Sequence, residues 1–187
     1  NFFAIQIELW KIGNSELAPK FNIISKPNDW AKEIKKSFSN YEPTETKLSQ
    51  LEFWKKYKEK LEKEKSTLKP RNPRPQHWYP FAIGNSITHL DYSINTHDNE
   101  IGCEIYIRDE KELFNFLFNE KNKIEKELGE KLEWMELPGK KASRIKISHE
   151  ADIDKNENWD KYFNWMKNVG EKFQKVFSKY IKEYQNQ

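Results

Sequence analysis

The residues with the clearest capacity for chemistry are cationic. Between positions 55 and 77 the chain carries nine Lys or Arg (55, 56, 58, 60, 63, 65, 69, 71 and 74) against three Glu (59, 62 and 64), net six positive. The whole chain is only +3, so everything outside that stretch is net three negative. Such a patch either forms a solvated helix face laced with Glu–Lys pairs or contacts phosphates. Arginine sharpens the choice, because only Arg71, Arg74, Arg108 and Arg144 occur among the 33 cationic residues. A chain so biased to lysine uses the planar, bidentate guanidinium selectively. Arg71, Arg74 and Arg144 lie beside segments marked by proline, glycine or aromatics.

Two strings stand out. Arg74-Pro75-Gln76-His77-Trp78 ends a proline-fixed, extended segment, and Pro138-Gly139-Lys140-Lys141-Ala142-Ser143-Arg144 is a basic tight turn. The turn's amides and side chains suit a phosphate, although an ordinary hairpin needs no ligand and the spacing is not that of a nucleotide-binding P-loop. The candidate nucleic-acid contacts are therefore Lys55, Lys58, Lys69, Arg71, Arg74, Gln76, His77, Lys140, Lys141, Ser143 and Arg144.

Other chemistries find less support. His89 and Asp91 share a strand face, and His97-Asp98, His149-Glu150, Asp152 and Asp154 lie at element ends, but no HExxH, cysteine pair or calcium-loop spacing accompanies them. No metal site and no catalytic residue is assigned. The single cysteine, Cys103, alternates with isoleucines and reads as core. Glu8 and Lys11 are three apart on a strand, hence on opposite faces, which differs from the acidic–x–Lys element of metal-dependent nucleases.

The elements that must position these residues follow from periodicity. In 187 residues, 34% are charged and 36% apolar, but seven Trp, eight Tyr and twelve Phe supply a core that disordered chains lack. An alternating run over 2–12 and a second strand from 21 to 25 form a hairpin, followed by a short helix over 30–36 and a linker over 37–47. Helical spacing predicts a helix over 47–65. Three strands over 77–85, 88–96 and 101–108 then precede a helix over 110–128, strands over 131–137 and 142–148, and a long helix over 159–184. The fold class is α+β: an antiparallel sheet of about five strands with helices on one face, in the order helix, three strands, helix, two strands, long helix. On the long helix Phe173, Phe177, Tyr180 and Tyr184 offer an aromatic stripe that can serve a homodimer interface. With no internal disulfide, no membrane-spanning run and no signal-peptide pattern, the expected setting is cytoplasmic. The start at Asn1, inside a strand-like run, suggests the C-terminal part of something longer.

From about 48 onward the sequence resembles a bacterial and archaeal domain-of-unknown-function family found as the C-terminal part of restriction-endonuclease-like proteins. The resemblance rests on Phe53-Trp54, Pro73-Arg74-Pro75-Gln76-His77-Trp78, Gly84, Gly102-Cys103-Glu104-Ile105-Tyr106-Ile107, Leu132-Glu133-Trp134, the 138–145 string, Trp159 and Phe163-Asn164-Trp165. Phe2-Phe3-Ala4, Ile7-Glu8-Leu9-Trp10, Ala18-Pro19-Lys20-Phe21-Asn22 and Pro27-Asn28-Asp29-Trp30 resemble the tail of the nuclease-like domain that precedes it. It implies a remnant of that domain over 1–36 and a C-terminal domain over 48–187. It further implies a preceding PD-(D/E)XK domain that holds the carboxylates, the lysine and any Mg, with no cofactor in the present chain. The expectation is a non-catalytic module that binds duplex DNA or recognises a target. The alternatives are a protein-interaction or dimerisation domain that positions attached nuclease domains, and a binder of a small anionic ligand between 71–78 and 138–144.

Overall fold

A computed structural model describes residues 4–10, 18–25 and 43–186. The chain divides into two units, Asn1–Pro43 and Thr44–Gln187. In the first, β1 (Ala4–Trp10) pairs antiparallel with β2 (Ala18–Ser25), setting Ile7 opposite Phe21. The expected hairpin is present. The helix expected over 30–36 and most of the linker, 37–42, lie outside the described residues.

The second unit opens with α1 (Glu45–Lys63), whose first turn is capped by Thr44 Oγ1 accepting from the Lys47 amide at 3.4 Å. Three strands follow in a meander, β3 (Trp78–Ala82), β4 (Thr88–Asn95) and β5 (Glu100–Ile107). Next come α2 (Lys111–Asn119), α3 (Lys121–Leu128), β6 (Glu133–Met135), β7 (Ser143–Glu150) and the long α4 (Trp159–Gln185). The five strands are antiparallel in the order β3-β4-β5-β7-β6. The α+β reading therefore holds, and β7 fills the place beside β5 with β6 at the edge.

Two elements differ from expectation. The helix expected over 110–128 breaks at Glu120, whose backbone (φ −92°, ψ 7°) closes α2 with amide bonds to Phe116 and Leu117. Asn119 and Asn122 flank the break and are weak helix formers. The break lets Leu113 and Leu117 of one helix and Ile124 and Leu128 of the next all reach the core. The strand expected over 131–137 shortens to three residues because Leu137 adopts a left-handed backbone (φ 58°) and turns the chain.

Alternation decides which face of the sheet is covered. Leu90, Tyr92 and Ile94 on β4, Ile101, Cys103, Ile105 and Ile107 on β5, and Ile145 on β7 are buried on one side. Against them α1 sets Phe53, Trp54 and Tyr57, and α4 sets Phe163, Met166, Phe173 and Phe177. The rings meet edge-on, Phe53 with Trp159 at 5.2 Å and Tyr57 with Tyr92 at 5.3 Å. Each large ring removes roughly 150–250 Å² from water, a gross gain of about 4–6 kcal/mol before ordering costs. Burial pushes the Cys103 thiol and the Tyr57 and Tyr92 hydroxyls well above their ordinary values, so none of them ionises near neutral pH.

Helix and sheet approach closely at Gly170. Tyr92 donates its hydroxyl to the Met166 carbonyl of α4 at 2.7 Å, and a Cβ on Gly170 would collide with that hydroxyl. Gly170→Ala gains up to about 1 kcal/mol of helix propensity but forces the ring out of place, and we expect a net loss of about 1–3 kcal/mol in urea denaturation. Tyr92→Phe combined with Gly170→Ala recovers part of that loss. An Ala variant as stable as the parent chain would contradict this packing.

Candidate functional site

The side of the sheet away from the helices is polar, and its side chains form three rows set by the register. Trp78, Ser93, Gly102 and Ser148 make one row, Pro80, Asp91, Glu104 and Lys146 the next, and Ala82, His89, Tyr106 and Arg144 the third. Pro80 is tolerated because β3 is an edge strand, with no partner on its outer side among the described residues. Over these rows lies a cleft of about 560 Å³ that also takes in His77, Ser86 and Arg108.

Its floor is acidic. Asp91 and Glu104 face each other across β4 and β5, and only 6% and 5% of their surfaces are exposed. His89 Nε2 lies 3.2 Å from Asp91 Oδ2, whereas Asp91 Oδ1 is buried without a hydrogen-bond partner. Arg144 approaches Glu104 at 3.7 Å and lies over the Tyr106 ring at 5.6 Å. Lys146 does not neutralise the pair directly, because its ammonium goes to Glu100 at 2.7 Å. Burial raises the Glu104 carboxyl above its ordinary range, and nearby Asp91 raises it further against the lowering influence of Arg144. Gly102 keeps the rows close, since a Cβ there would stand 2.6 Å from Ser93 Oγ and 2.8 Å from Lys146 Cε.

A second cleft of about 310 Å³ adjoins it, lined by Arg71, Asn72, Arg74, Gln76 and Trp78. The proline-bearing segment that builds it is fastened to the core. Trp54 Nε1 donates to the Gln76 carbonyl at 2.8 Å, the Tyr79 hydroxyl donates to the Arg71 carbonyl, and Lys58 donates to Asn72 at 3.3 Å. Trp78, 43% exposed, stands between the two clefts and lines both. All four arginines of the chain line one cleft or the other.

The residues singled out in the sequence thus fall into three groups. Arg71, Arg74 and Gln76 line the second cleft and His77 and Arg144 the first, with Trp78 common to both, and Lys58 reaches the rim through Asn72. Lys55, Lys69, Lys140 and Lys141 are exposed outside the linings of these clefts, with Lys141 paired to Asp109 at 2.9 Å. Two expectations are corrected. Ser143 is fully buried, accepts from Lys111 Nζ at 3.0 Å and donates to the Glu136 carbonyl at 2.9 Å, so it braces the turn and is not open to a ligand. Lys111 also donates to the Ala142 carbonyl at 3.1 Å and to that of Glu136, which gathers the 137–142 turn around an internal cation.

The long helix supplies the second correction. Phe173, Phe177 and Tyr180 are 1%, 0% and 3% exposed in the core of their own domain. They pack inward instead of offering a face to a second copy. Tyr184, half-buried, packs on Phe116 and donates to Glu110 at 3.0 Å. Sequence reasoning missed the Asp91–Glu104 pairing, Tyr106 and Arg108 as parts of a site. The available signal was a carboxylate in mid-strand within each of two adjacent apolar runs.

Among the described residues no group of three or more His, Cys, Asp or Glu side chains is placed to hold a metal ion, and no helix is long and apolar enough to cross a membrane. Fold and site together define an α+β domain with a helix-covered sheet whose open face carries an aromatic, arginine-rimmed cleft over buried carboxylates. The chain belongs to the DUF4268 family, described as a domain of unknown function, whose sequence profile matches residues 49–181. No curated protein and no solved structure matches the chain. The family's description carries no activity and no association with restriction-endonuclease-like proteins.

The raised Glu104 carboxyl has a pH consequence. Its proton is held more tightly in the folded chain than in the unfolded one, so stability falls as pH rises from 4.5 through the raised folded value and levels off above it. Glu104→Gln, which keeps the shape and cannot ionise, should gain on the parent chain across that window in denaturation series at stepped pH. A difference that stays constant with pH would contradict the assignment.

Proposed function

We propose that this chain is a non-catalytic DNA-binding module that contacts nucleic acid through the open face of its sheet. One observation carries the reading. A lysine-rich chain places all four of its arginines in the linings of two clefts that share one exposed tryptophan, Trp78. Guanidinium groups bind phosphate oxygens bidentately, and an exposed indole offers a stacking surface that any base can use. The prolines and the Trp54, Tyr79 and Lys58 contacts fix the Arg71–Arg74 segment before a ligand arrives, which lowers the ordering cost of binding.

The resemblance to C-terminal parts of restriction-endonuclease-like proteins supports the same role. In that setting this domain recognises the target, and cleavage belongs to a different domain with its own metal-binding carboxylates. The acidic floor of the larger cleft argues against a surface made only for phosphates. It favours one in which the arginine rim holds the backbone and the centre meets something that donates hydrogen bonds.

The test is fluorescence anisotropy of the 187-residue chain with labelled duplex and stem–loop DNA at stepped salt. Affinity should fall linearly on logarithmic axes. Arg71→Ala and Arg74→Ala should each weaken binding about tenfold, or ~1.4 kcal/mol, and flatten the salt slope by about one contact. Lys175→Ala with Lys182→Ala, on the far helix, should leave affinity unchanged. Absent binding, salt-independent binding, or equal losses at both places would overturn the proposal.

A further inference from the structure

We propose that the end of the larger cleft around Tyr106 seats a phosphate monoester, the terminal phosphate of a DNA strand; this rests on the reading of the open face as a DNA surface. Tyr106 is flanked on both neighbouring strands. His89 of β4 packs against its ring with centroids 5.0 Å apart, and the Arg144 guanidinium of β7 lies 5.6 Å from the ring centre. Arg108 follows β5 directly, and its amide donates to the Ile87 carbonyl at 3.1 Å, which carries the alternation one step on. Its side chain lines the cleft with Ser86.

Two guanidinium groups and two hydroxyls, those of Tyr106 and Ser86, thus meet at one end of the cleft. Among the described residues the side chains of Arg108 and Ser86 and the Tyr106 hydroxyl have no polar partner, and the one carboxyl near Arg144 is Glu104, at 3.7 Å. Elsewhere cations are satisfied within the fold. Lys56, Lys60, Lys141, Lys146, Lys167 and Lys179 each meet a carboxylate at 2.7–3.1 Å. Planar guanidinium groups left open beside hydroxyl donors suit a phosphate.

The surroundings select a chain end over an internal phosphodiester. A monoester offers three unesterified oxygens and about −1.5 to −2 charges at pH 7, whereas a phosphodiester offers two oxygens and a single charge. The row of Tyr106 runs out into Ala82 on β3 and Met135 on β6, so it holds no cation for a second phosphate. The next row toward Trp78 presents Asp91 and Glu104, while Lys146 is committed to Glu100 at 2.7 Å. A backbone continuing that way meets two carboxyl groups. On the other side the Lys141–Asp109 pair brings the basic 138–142 turn beside Arg108. A strand therefore arrives over that turn and stops at Tyr106. Arg71 and Arg74 line only the second cleft, so the seat is built without them. The same chemistry admits the phosphate of a free mononucleotide, and the two sources are separable by experiment.

Single-stranded DNAs of one sequence, labelled internally and ending in a 5′-phosphate, a 3′-phosphate or hydroxyls only, are titrated against the intact chain by anisotropy. Binding of dAMP and of inorganic phosphate is read by calorimetry. A phosphate at one end or at both is expected to tighten binding about tenfold over the hydroxyl strand. Arg108→Ala should bring that ratio to about one, and Tyr106→Phe should lower it. Glu104→Gln, which removes a competitor for Arg144, should raise it. Arg71→Ala should weaken all strands equally and preserve the ratio. Thermal melts confirm folding of each variant, and Arg108 is exposed, so its replacement leaves the core untouched. DNA binding without preference for a phosphorylated end overturns the seat and leaves the DNA surface standing. A ratio that survives both Arg108→Ala and Tyr106→Phe, or that Glu104→Gln lowers, overturns the seat as assigned. Arg108-dependent binding of dAMP or inorganic phosphate without binding of any strand keeps the seat, assigns it to a free phosphate monoester and overturns the surface. Failure of every probe to bind overturns both.

Discussion

Two carboxyl groups held opposite one another in the middle of a sheet, almost out of contact with water, are the constraint around which this domain is arranged. Asp91 and Glu104 cannot move apart, because the ladder between β4 and β5 fixes their backbones and Cys103 and Ile105 beside Glu104 are sealed under the helices. Like charges at that separation are unfavourable, and burial makes them more so. The fold answers with a raised Glu104 carboxyl, His89 beside one Asp91 oxygen and Arg144 near Glu104. The other Asp91 oxygen is buried without a hydrogen-bond partner.

That arrangement needs a stiff support, and the covered side of the sheet supplies it. Interlocked aromatic rings from α1 and α4 pin β4 and β5, and the Tyr92 hydroxyl reaches the α4 backbone where Gly170 leaves room. The same helix α1 anchors the proline segment through Trp54, so the two clefts are positioned by one core. Rigidity in the core thereby becomes preorganisation at the surface. A side chain held in place before a ligand arrives loses less entropy when it binds.

Much of the fold was legible in the sequence because alternation and helical spacing report directly on burial. The Ile101, Cys103, Ile105 and Ile107 stripe predicted both the strand and its covered face, and it set Glu104, Tyr106 and Arg108 on the other side. What periodicity cannot report is register and strand order. The opposition of Asp91 to Glu104 depends on the first, and the arrival of Arg144 beside Tyr106 depends on β7 inserting next to β5. Amphipathic spacing also cannot distinguish a stripe that faces its own sheet from one that faces a partner. Phe173, Phe177 and Tyr180 carried that ambiguity, and they pack inward. Ser143 likewise reads as a turn hydroxyl until the ammonium of Lys111 is placed beneath it.

The most direct measurement of the central claim is a map of where nucleic acid touches the protein. Photo-crosslinking of the intact chain to a DNA substituted with a photoreactive base, followed by peptide mass spectrometry, reports contacts without depending on any variant. The account predicts crosslinks at Trp78 and Tyr106 and in the peptides carrying Arg71, Arg74 and Arg144. Crosslinks confined to α4 or to the exposed side of α1, with the open sheet face untouched, would contradict it.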